Sequence, residues 1–312
     1  MSKVFITGIN GFVGKHLIDL YKDDEIVGLI RPGTDKDVGD DIKLVEGDIL
    51  DTNRIEEIIS EEKPDIIFHL AAFTSPSESL KSPVEALDNN IKGQLNILEA
   101  IRKFELFDTK TLVVSTSEIY GNADPEFLPI NESTPLKPHT PYAVSKITQD
   151  FLGYQYFKSY GIKTIRVRPF NHIGPGQAPM FVVPAFAKQI AMIEKGQQEK
   201  IMKVGNLDAK KDFTDVRDVV LAYKLLMEKG EFGEVYNIGS GKSHAISEIL
   251  EILLSFSTEK ISVEKDPALM RKNEILDLYC DPSKIERLTG WKATIPLEKS
   301  LKDALDYWRN IL

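Results

Sequence analysis

The chain of 312 residues is poor in the groups that build several common kinds of site. It has one cysteine, Cys280, so no disulfide can form within it. That suits a reducing cytoplasm, and it excludes a paired-cysteine redox or zinc motif. The five histidines are scattered without zinc-ligand spacing, and no metal site is expected. No apolar run reaches the ~20 residues of a membrane span. The first β-rich run starts at Lys3, so no signal peptide is expected. Positive charge is also short. A net charge of −9 argues against a nucleic-acid or anionic-membrane partner, so an anionic substrate would need a local basic pocket. There are two tryptophans, no internal repeat and no low-complexity segment. What is left, 42% hydrophobic and 28% charged, is a globular composition long enough for one large domain or two moderate ones.

The first ordered pattern is Lys3–Thr7, a β-rich run, followed by Gly8-Ile9-Asn10-Gly11-Phe12-Val13-Gly14 and a helix through Leu20. Strand, glycine turn and helix come in the order a dinucleotide site requires. The glycines permit a tight turn and a close approach of backbone to pyrophosphate, with the anion at the helix N-terminus. Gly8, Asn10, Gly11, Phe12, Val13 and Gly14 are therefore cofactor candidates, although the spacing is GxxGxxG rather than the commoner GxGxxG. The second strand, Glu25–Ile30, ends at Arg31, where an NAD site usually carries an acid for the ribose 2′-hydroxyl. Arg31 suits a 2′-phosphate instead. NADP(H) is the expected cofactor, with NAD(H) the alternative that Asp35 and Asp37 keep open.

The alternation continues with strands near 42–45, 65–70, 111–115 and 163–168, and helices near 51–60 and 83–104. Repeated βαβ units with apolar strands predict an α/β fold, a doubly wound parallel sheet covered on both faces. Ligands bind such sheets beyond the strand C-terminal ends. Those ends carry Gly8, Arg31, Asp48, Ala71 and Thr116. Asp48 either caps an adenine edge or is a turn residue after Gly47. Thr116 and Glu118 stand where chemistry is expected: a hydroxyl to orient a substrate oxygen, and a carboxylate to act as a base or bind sugar hydroxyls.

A proline-rich loop, 124–141, leads into Thr140-Pro141-Tyr142-Ala143-Val144-Ser145-Lys146. Thr140 is a good N-cap and Pro141 suits the first helical position. Tyr142 and Lys146 then lie on one helix face, a turn apart. The nearby ammonium is expected to stabilise the phenolate and lower the tyrosine pKa, so that the pair exchanges a proton with a substrate hydroxyl or carbonyl. Tyr154 and Lys158 repeat the spacing, so spacing alone does not choose between the pairs.

These segments together with Leu70-Ala71-Ala72, Asn90-Ile91-Lys92-Gly93 and Ser115-Thr116-Ser117-Glu118-Ile119-Tyr120-Gly121 resemble the extended short-chain dehydrogenase/reductase family over essentially the whole chain. The resemblance implies a Rossmann-like fold. It makes Thr116, Tyr142 and Lys146 catalytic, with Lys146 also on the ribose, and adds Ile49, Leu70, Ala71, Ala72 and Asn90 to the cofactor contacts. It selects Tyr142 over Tyr154, and helix geometry agrees, because twelve residues further is about 18 Å of rise.

The second half departs from the sheet at Pro169–Gln177 and continues in short helices and strands. The expected organisation is a dinucleotide-binding domain of residues 1–170 plus 212–238 and a smaller substrate-binding α/β domain of 171–211 plus 239–312. Arg168–Gln177, Val204–Ala209 and Asp212–Asp218 are similar to the GDP-4-keto-6-deoxy-mannose reductases, which form GDP-rhamnose, and to the related GDP-mannose 4,6-dehydratases. That likeness implies a GDP-sugar substrate. It places Asn171 on diphosphate or sugar, Val204 and Asn206 near the guanine, Lys211 where an arginine commonly grips the diphosphate, and Arg271 and Glu274 on phosphate and ribose. A reductase is the expected activity. Glu118 keeps a dehydratase open, and a C4 epimerase or a non-catalytic NADP(H) sensor are further alternatives. Members of the family commonly dimerise through helices that include the Tyr142 helix, so a homodimer is expected.

Overall fold

The computed structural model describes the whole chain except residues 35, 37, 40 and 271–274. In chain order the strands are β1 (Lys3–Thr7), β2 (Glu25–Ile30), β3 (Lys43–Glu46), β4 (Ile66–His69), β5 (Lys110–Val114), β6 (Thr164–Pro169), β7 (Asn171–Ile173), β8 (Ile201–Val204), β9 (Lys210–Asp215), β10 (Val235–Ile238), β11 (Ser243–Ala245), β12 (Ser262–Lys265) and β13 (Asp277–Leu278). The helices are α1 (Phe12–Ile18), α2 (Thr52–Glu62), α3 (Pro76–Ser79), α4 (Pro83–Lys103), α5 (Pro141–Tyr160), α6 (Val182–Glu194), α7 (Val216–Lys229), α8 (Ile246–Ser255), α9 (Ser283–Thr289) and α10 (Leu297–Ile311).

The main sheet has the order β10-β6-β5-β4-β1-β2-β3, with every pairing parallel. Its central strands are short and buried on both faces, as βαβ crossovers require. The edge strand β3 is only half covered. Leu17 of α1, Val219, Tyr223 and Leu226 of α7, and Ile285 of α9 cover one face. Ile55 and Ile59 of α2, Ile97 and Ile101 of α4, and Tyr156 of α5 cover the other. Two glycines allow the first turn to lie flat on this sheet. A Cβ on Gly14 would sit 2.5 Å from the carbonyl oxygens of Gly8 and Ile9. Gly8 has φ +72° and packs against the backbone of Ala71, at the end of β4.

The remaining strands form a smaller assembly. Strand β9 pairs in parallel with β7 and β13 and antiparallel with β11, while β8 pairs with β12. Helices α6, α8 and α10 close its core, with Ile190, Leu253, Leu305 and Trp308 inside. Residues 212–215, expected from the sequence in the returning segment, belong to β9. Asp215 ends the strand and caps α7 by accepting from Arg217 N. Helix α9 and Trp291 also lie on the first core rather than the second. The Trp291 indole donates to Asp218 O at 2.8 Å, and the Asp218 carboxylate accepts from the backbone of Thr294 and Ile295.

Candidate active site

Strand β1 lies between β2 and β4, so the chain winds outward in both directions from it, and a crevice opens at such a point. Here it is a cleft of about 590 Å³. At one end stand the glycine turn, Arg31 and Thr34. At the other are Thr116, Glu118, Tyr142 and Lys146. These two groups are far apart in the sequence, and the fold brings them to one site.

The glycine turn fits an extended dinucleotide. Helix α1 is capped by Gly11 without any side-chain hydrogen bond, and its first residues, Phe12 and Val13, line the cleft. Its leading backbone N–H groups are therefore left for a ligand anion. Gly8, Asn10, Gly11 and Gly14 line the same stretch, joined by Ile49, Leu70, Ala71 and Ala72. Arg31 is exposed at the far end, where its backbone carbonyl accepts from the Thr34 hydroxyl at 2.7 Å. Asp35 and Asp37 lie outside the described residues.

Tyr142 enters the cleft from the first turn of α5. Thr140 Oγ1 caps that turn by accepting from Ala143 N at 3.0 Å. The side chain is 8% exposed, with the Thr116 hydroxyl beside its phenol. Burial pushes its pKa well above the usual tyrosine range, Thr116 opposes that rise, and the Glu118 charge adds to it. Lys146, one turn on, is also buried and donates to Val114 O at 3.0 Å. Desolvation lowers it to about 7. The expected effect of lysine on tyrosine is therefore not what dominates: burial disfavours both charges, leaving a neutral phenol and a lysine that titrates near neutrality. Thr116 also accepts from Glu118 N at 3.3 Å, which starts the short turn that holds Glu118 half-buried at the cleft.

Of the other candidates, one lines the cleft and the rest stand elsewhere or lie outside the described residues. Asp48 does not line the cleft. Its carboxylate accepts from Leu50 N at 2.8 Å, the turn arrangement that is one of its two readings. Asn90 lies behind the wall, bound to Phe73 and Ser145. Asn171 lines the cleft. Val204 is fully buried in the second core, Asn206 accepts from Asp208 N, and Lys211 donates to Ile275 O. None of these three lines the cleft. Arg271 and Glu274 lie outside the described residues. Tyr154 is 40% exposed, with the Arg166 guanidinium over its ring, away from the cleft. Cys280 is buried between Asp212 and the loop before α5, not in the cleft.

Two residues near the chemistry give no usable sequence signal. His69, at the end of β4, is fully enclosed. Burial and the neighbouring Lys146 charge hold its pKa at about 3, so it is neutral. Its Nδ1 lies 2.9 Å from Thr7 Oγ1, which also accepts from Ala71 N, so the pair ties the ends of β1 and β4 together beneath the glycine turn. Tyr223 of α7 reaches the cleft floor near Tyr142, and burial raises its pKa too. A tyrosine on the buried stripe of an amphipathic helix looks like any core residue from sequence. Among the described residues, no cluster of histidine, cysteine or acidic side chains is placed to hold a metal ion.

A family model described as GDP-mannose 4,6 dehydratase matches residues 5–304. The chain belongs to this family. It is 35% identical over 309 residues to the GDP-6-deoxy-D-mannose reductase of Pseudomonas aeruginosa, covering 99% of this chain and 98% of that one. A structure of RMD from Pseudomonas aeruginosa complexed with NADPH superposes with a TM-score of 0.89 at 33% identity, over the whole of both chains. The UDP-glucose 4-epimerase of Thermus thermophilus, solved with NAD, reaches the same TM-score at 26% identity, over 99% of this chain and 100% of that one. Relatives named for reduction, dehydration and epimerisation thus share one fold.

Proposed function

We propose that this chain reduces the C4 ketone of GDP-4-keto-6-deoxy-D-mannose to GDP-D-rhamnose with NADPH. One observation carries the reading. A single cleft gathers the glycine turn, Arg31 at the end of β2, and a buried Tyr142 next to Thr116 and Lys146. The name of the 35%-identical relative supports the substrate class. When bound, the nicotinamide supplies the hydride. Tyr142, neutral because it is buried, donates its proton to the substrate oxygen as that oxygen becomes an alkoxide. Thr116 hydrogen-bonds the same oxygen and orients it. Lys146, with its pKa near neutrality, returns a proton to the phenol. Asn171 is assigned to the sugar or diphosphate. Asn206, Lys211, Arg271 and Glu274 keep the GDP contacts that the family likeness gives them, and Val204, with its side chain in the core, can contribute only backbone. Purified protein mixed with NADPH and the GDP-4-keto sugar should consume NADPH, followed by its absorbance. Turnover of GDP-mannose without added cofactor would point to the dehydratase instead.

Glu118 favours that second reading, since a 4,6-dehydratase needs a carboxylate beside the sugar to remove the C5 proton. Glu118→Gln separates the two. A reductase should keep kcat within about threefold, whereas a dehydratase should lose about a hundredfold or more. The cofactor assignment is checked at Arg31. Arg31→Asp should weaken NADPH at least about tenfold relative to NADH, through loss of the 2′-phosphate contact and added repulsion. An unchanged NADPH/NADH ratio removes Arg31 from the site.

We also propose that the chain works as a homodimer. Val144, Phe151 and Tyr154 leave an exposed apolar strip on α5, which packs on α4. Residues 1–170 and 216–238 are assigned to the dinucleotide-binding part. No helix among the described residues is long and apolar enough to cross a membrane, and the lone cysteine suits cytoplasmic work.

A further inference from the structure

The cleft holds Tyr142 by its ring, but its backbone is held from outside the helix. The first N–H groups of a helix have no partner within it. In α5, Pro141 has none to offer and Thr140 takes that of Ala143. That of Tyr142 donates to Ser79 Oγ at 3.1 Å, from a residue 63 positions earlier. The Ser79 hydroxyl is fully buried and donates in turn to Pro76 O at 2.7 Å, which leaves its lone pairs for Tyr142. On the other side, the Tyr142 carbonyl accepts from Ser145 Oγ at 2.7 Å, and Ser145 Oγ accepts from Asn90 Nδ2 at 2.8 Å. Asn90 makes every hydrogen bond an amide side chain can make. It also donates to Phe73 O and accepts from Phe73 N and Asn89 Nδ2. A flipped amide would lose both Phe73 bonds, so its orientation is determined.

The two chains of contacts start at the two ends of one segment. Phe73 is held by Asn90 and Ser79 holds Tyr142, while Thr74, Ser75, Pro76 and Ser77 between them line the cleft. Neither Ser79 nor Asn90 lines the cleft. We propose that Ser79 and Asn90 are positioning residues that clamp the cleft wall 73–79 to both backbone ends of Tyr142, so that the wall and the proton donor move as one body. The proposal rests on Tyr142 being the proton donor. A reaction that requires the donor within a few tenths of an ångström of its path loses rate when the donor's anchor is cut, even where the ligands still bind.

The test is Ser79→Ala, with Ser145→Ala as the milder cut should the first variant fail to fold. The expected result for Ser79→Ala is a kcat roughly tenfold lower, with KM for the GDP-4-keto sugar and Kd for NADPH within about twofold. Ser79→Thr, which restores the hydroxyl, should recover kcat. Ser145→Ala should lower kcat by a few fold, and the double variant should fall short of the product of the two, because both act on one residue. Hydrogen exchange followed by mass spectrometry supplies a readout independent of substrate: residues 141–146 should exchange faster in Ser79→Ala while the C-terminal half of α5 is unchanged. A lower melting temperature with kcat and local exchange unchanged overturns the proposal and leaves Ser79 a structural cap. If the wild-type chain does not consume NADPH with the keto sugar, the functional reading fails, and the exchange measurement alone decides whether the clamp exists.

Discussion

Tyr142→Phe is expected to lower kcat by about a thousandfold or more while leaving the Kd for NADPH within about twofold. The substitution removes one hydroxyl and keeps the ring volume, so the packing around an 8%-exposed side chain is preserved. What disappears is the proton that neutralises the developing alkoxide. No other group in the cleft replaces it well. Tyr223 is a second phenol, but it is fully buried on the floor and its pKa is also pushed up by burial. Lys146 serves the substrate only through the phenol in this reading, and its own ammonium is held on Val114 O. The glycine turn and Arg31, at the other end of the cleft, are untouched, so cofactor affinity should survive. NADPH oxidation followed by absorbance measures the first quantity and quenching of protein fluorescence by NADPH the second. Retention of a tenth of the wild-type turnover would remove Tyr142 from the role of proton donor.

The largest expected effect on stability is at Asp150, two turns beyond Tyr142 on α5. Its carboxylate is fully buried between two arginines: Arg166 donates to Oδ1, and Arg168 Nε donates to Oδ2 at 2.7 Å. Arg168 also donates to the Tyr120 hydroxyl, which donates to Asn237 Oδ1, so the cluster links α5, β6, β10 and the turn that carries Glu118. Asp150→Ala deletes the negative member and strands two guanidinium groups in a low-dielectric interior. Breaking a buried ion pair in this way costs about 3–5 kcal/mol. Urea denaturation followed by fluorescence should show a midpoint lowered accordingly. A loss below about 1 kcal/mol would mean that the arginines find other acceptors once Asp150 is gone. The same logic explains why β6 tolerates two arginines in a strand buried throughout.

What can be read from the sequence is what is encoded locally. Thr140 and Pro141 mark the start of α5 because an N-cap and a first-turn proline act within four residues. The glycine turn is legible for the same reason, and the strands of the sheet stand out as short apolar runs between turns. The family likeness then places Thr116 and Glu118 beside Tyr142. The rest depends on contacts between distant segments. Nothing in Ser79 or its neighbours announces that it caps a helix 63 residues later. Asn90 is legible as part of a motif, but not as a clamp behind the wall rather than a residue on it. The pKa of Tyr142 runs opposite to the sequence expectation because an i, i+4 lysine is visible in the sequence, whereas the desolvation that outweighs it is a property of the folded cleft. The change from β9 to α7 comes after residue 215 for the same kind of reason. Asp215 belongs to the strand by its pairing and to α7 by its capping, and only the second is a local signal.

The scarcity of tryptophan has a practical side. Of the two indoles, Trp291 is enclosed with the helices that back the parallel sheet, and Trp308 is enclosed in the core of the smaller assembly. Each core therefore contains one tryptophan and no second one to confuse it. Trp291 carries a hydrogen bond to a helix carbonyl, and Trp308 lies under the Lys188 ammonium, so the two emit from different polar surroundings. Replacing either by phenylalanine leaves a chain whose tryptophan emission follows one core alone. The order in which the two cores come apart can then be timed without attaching a label.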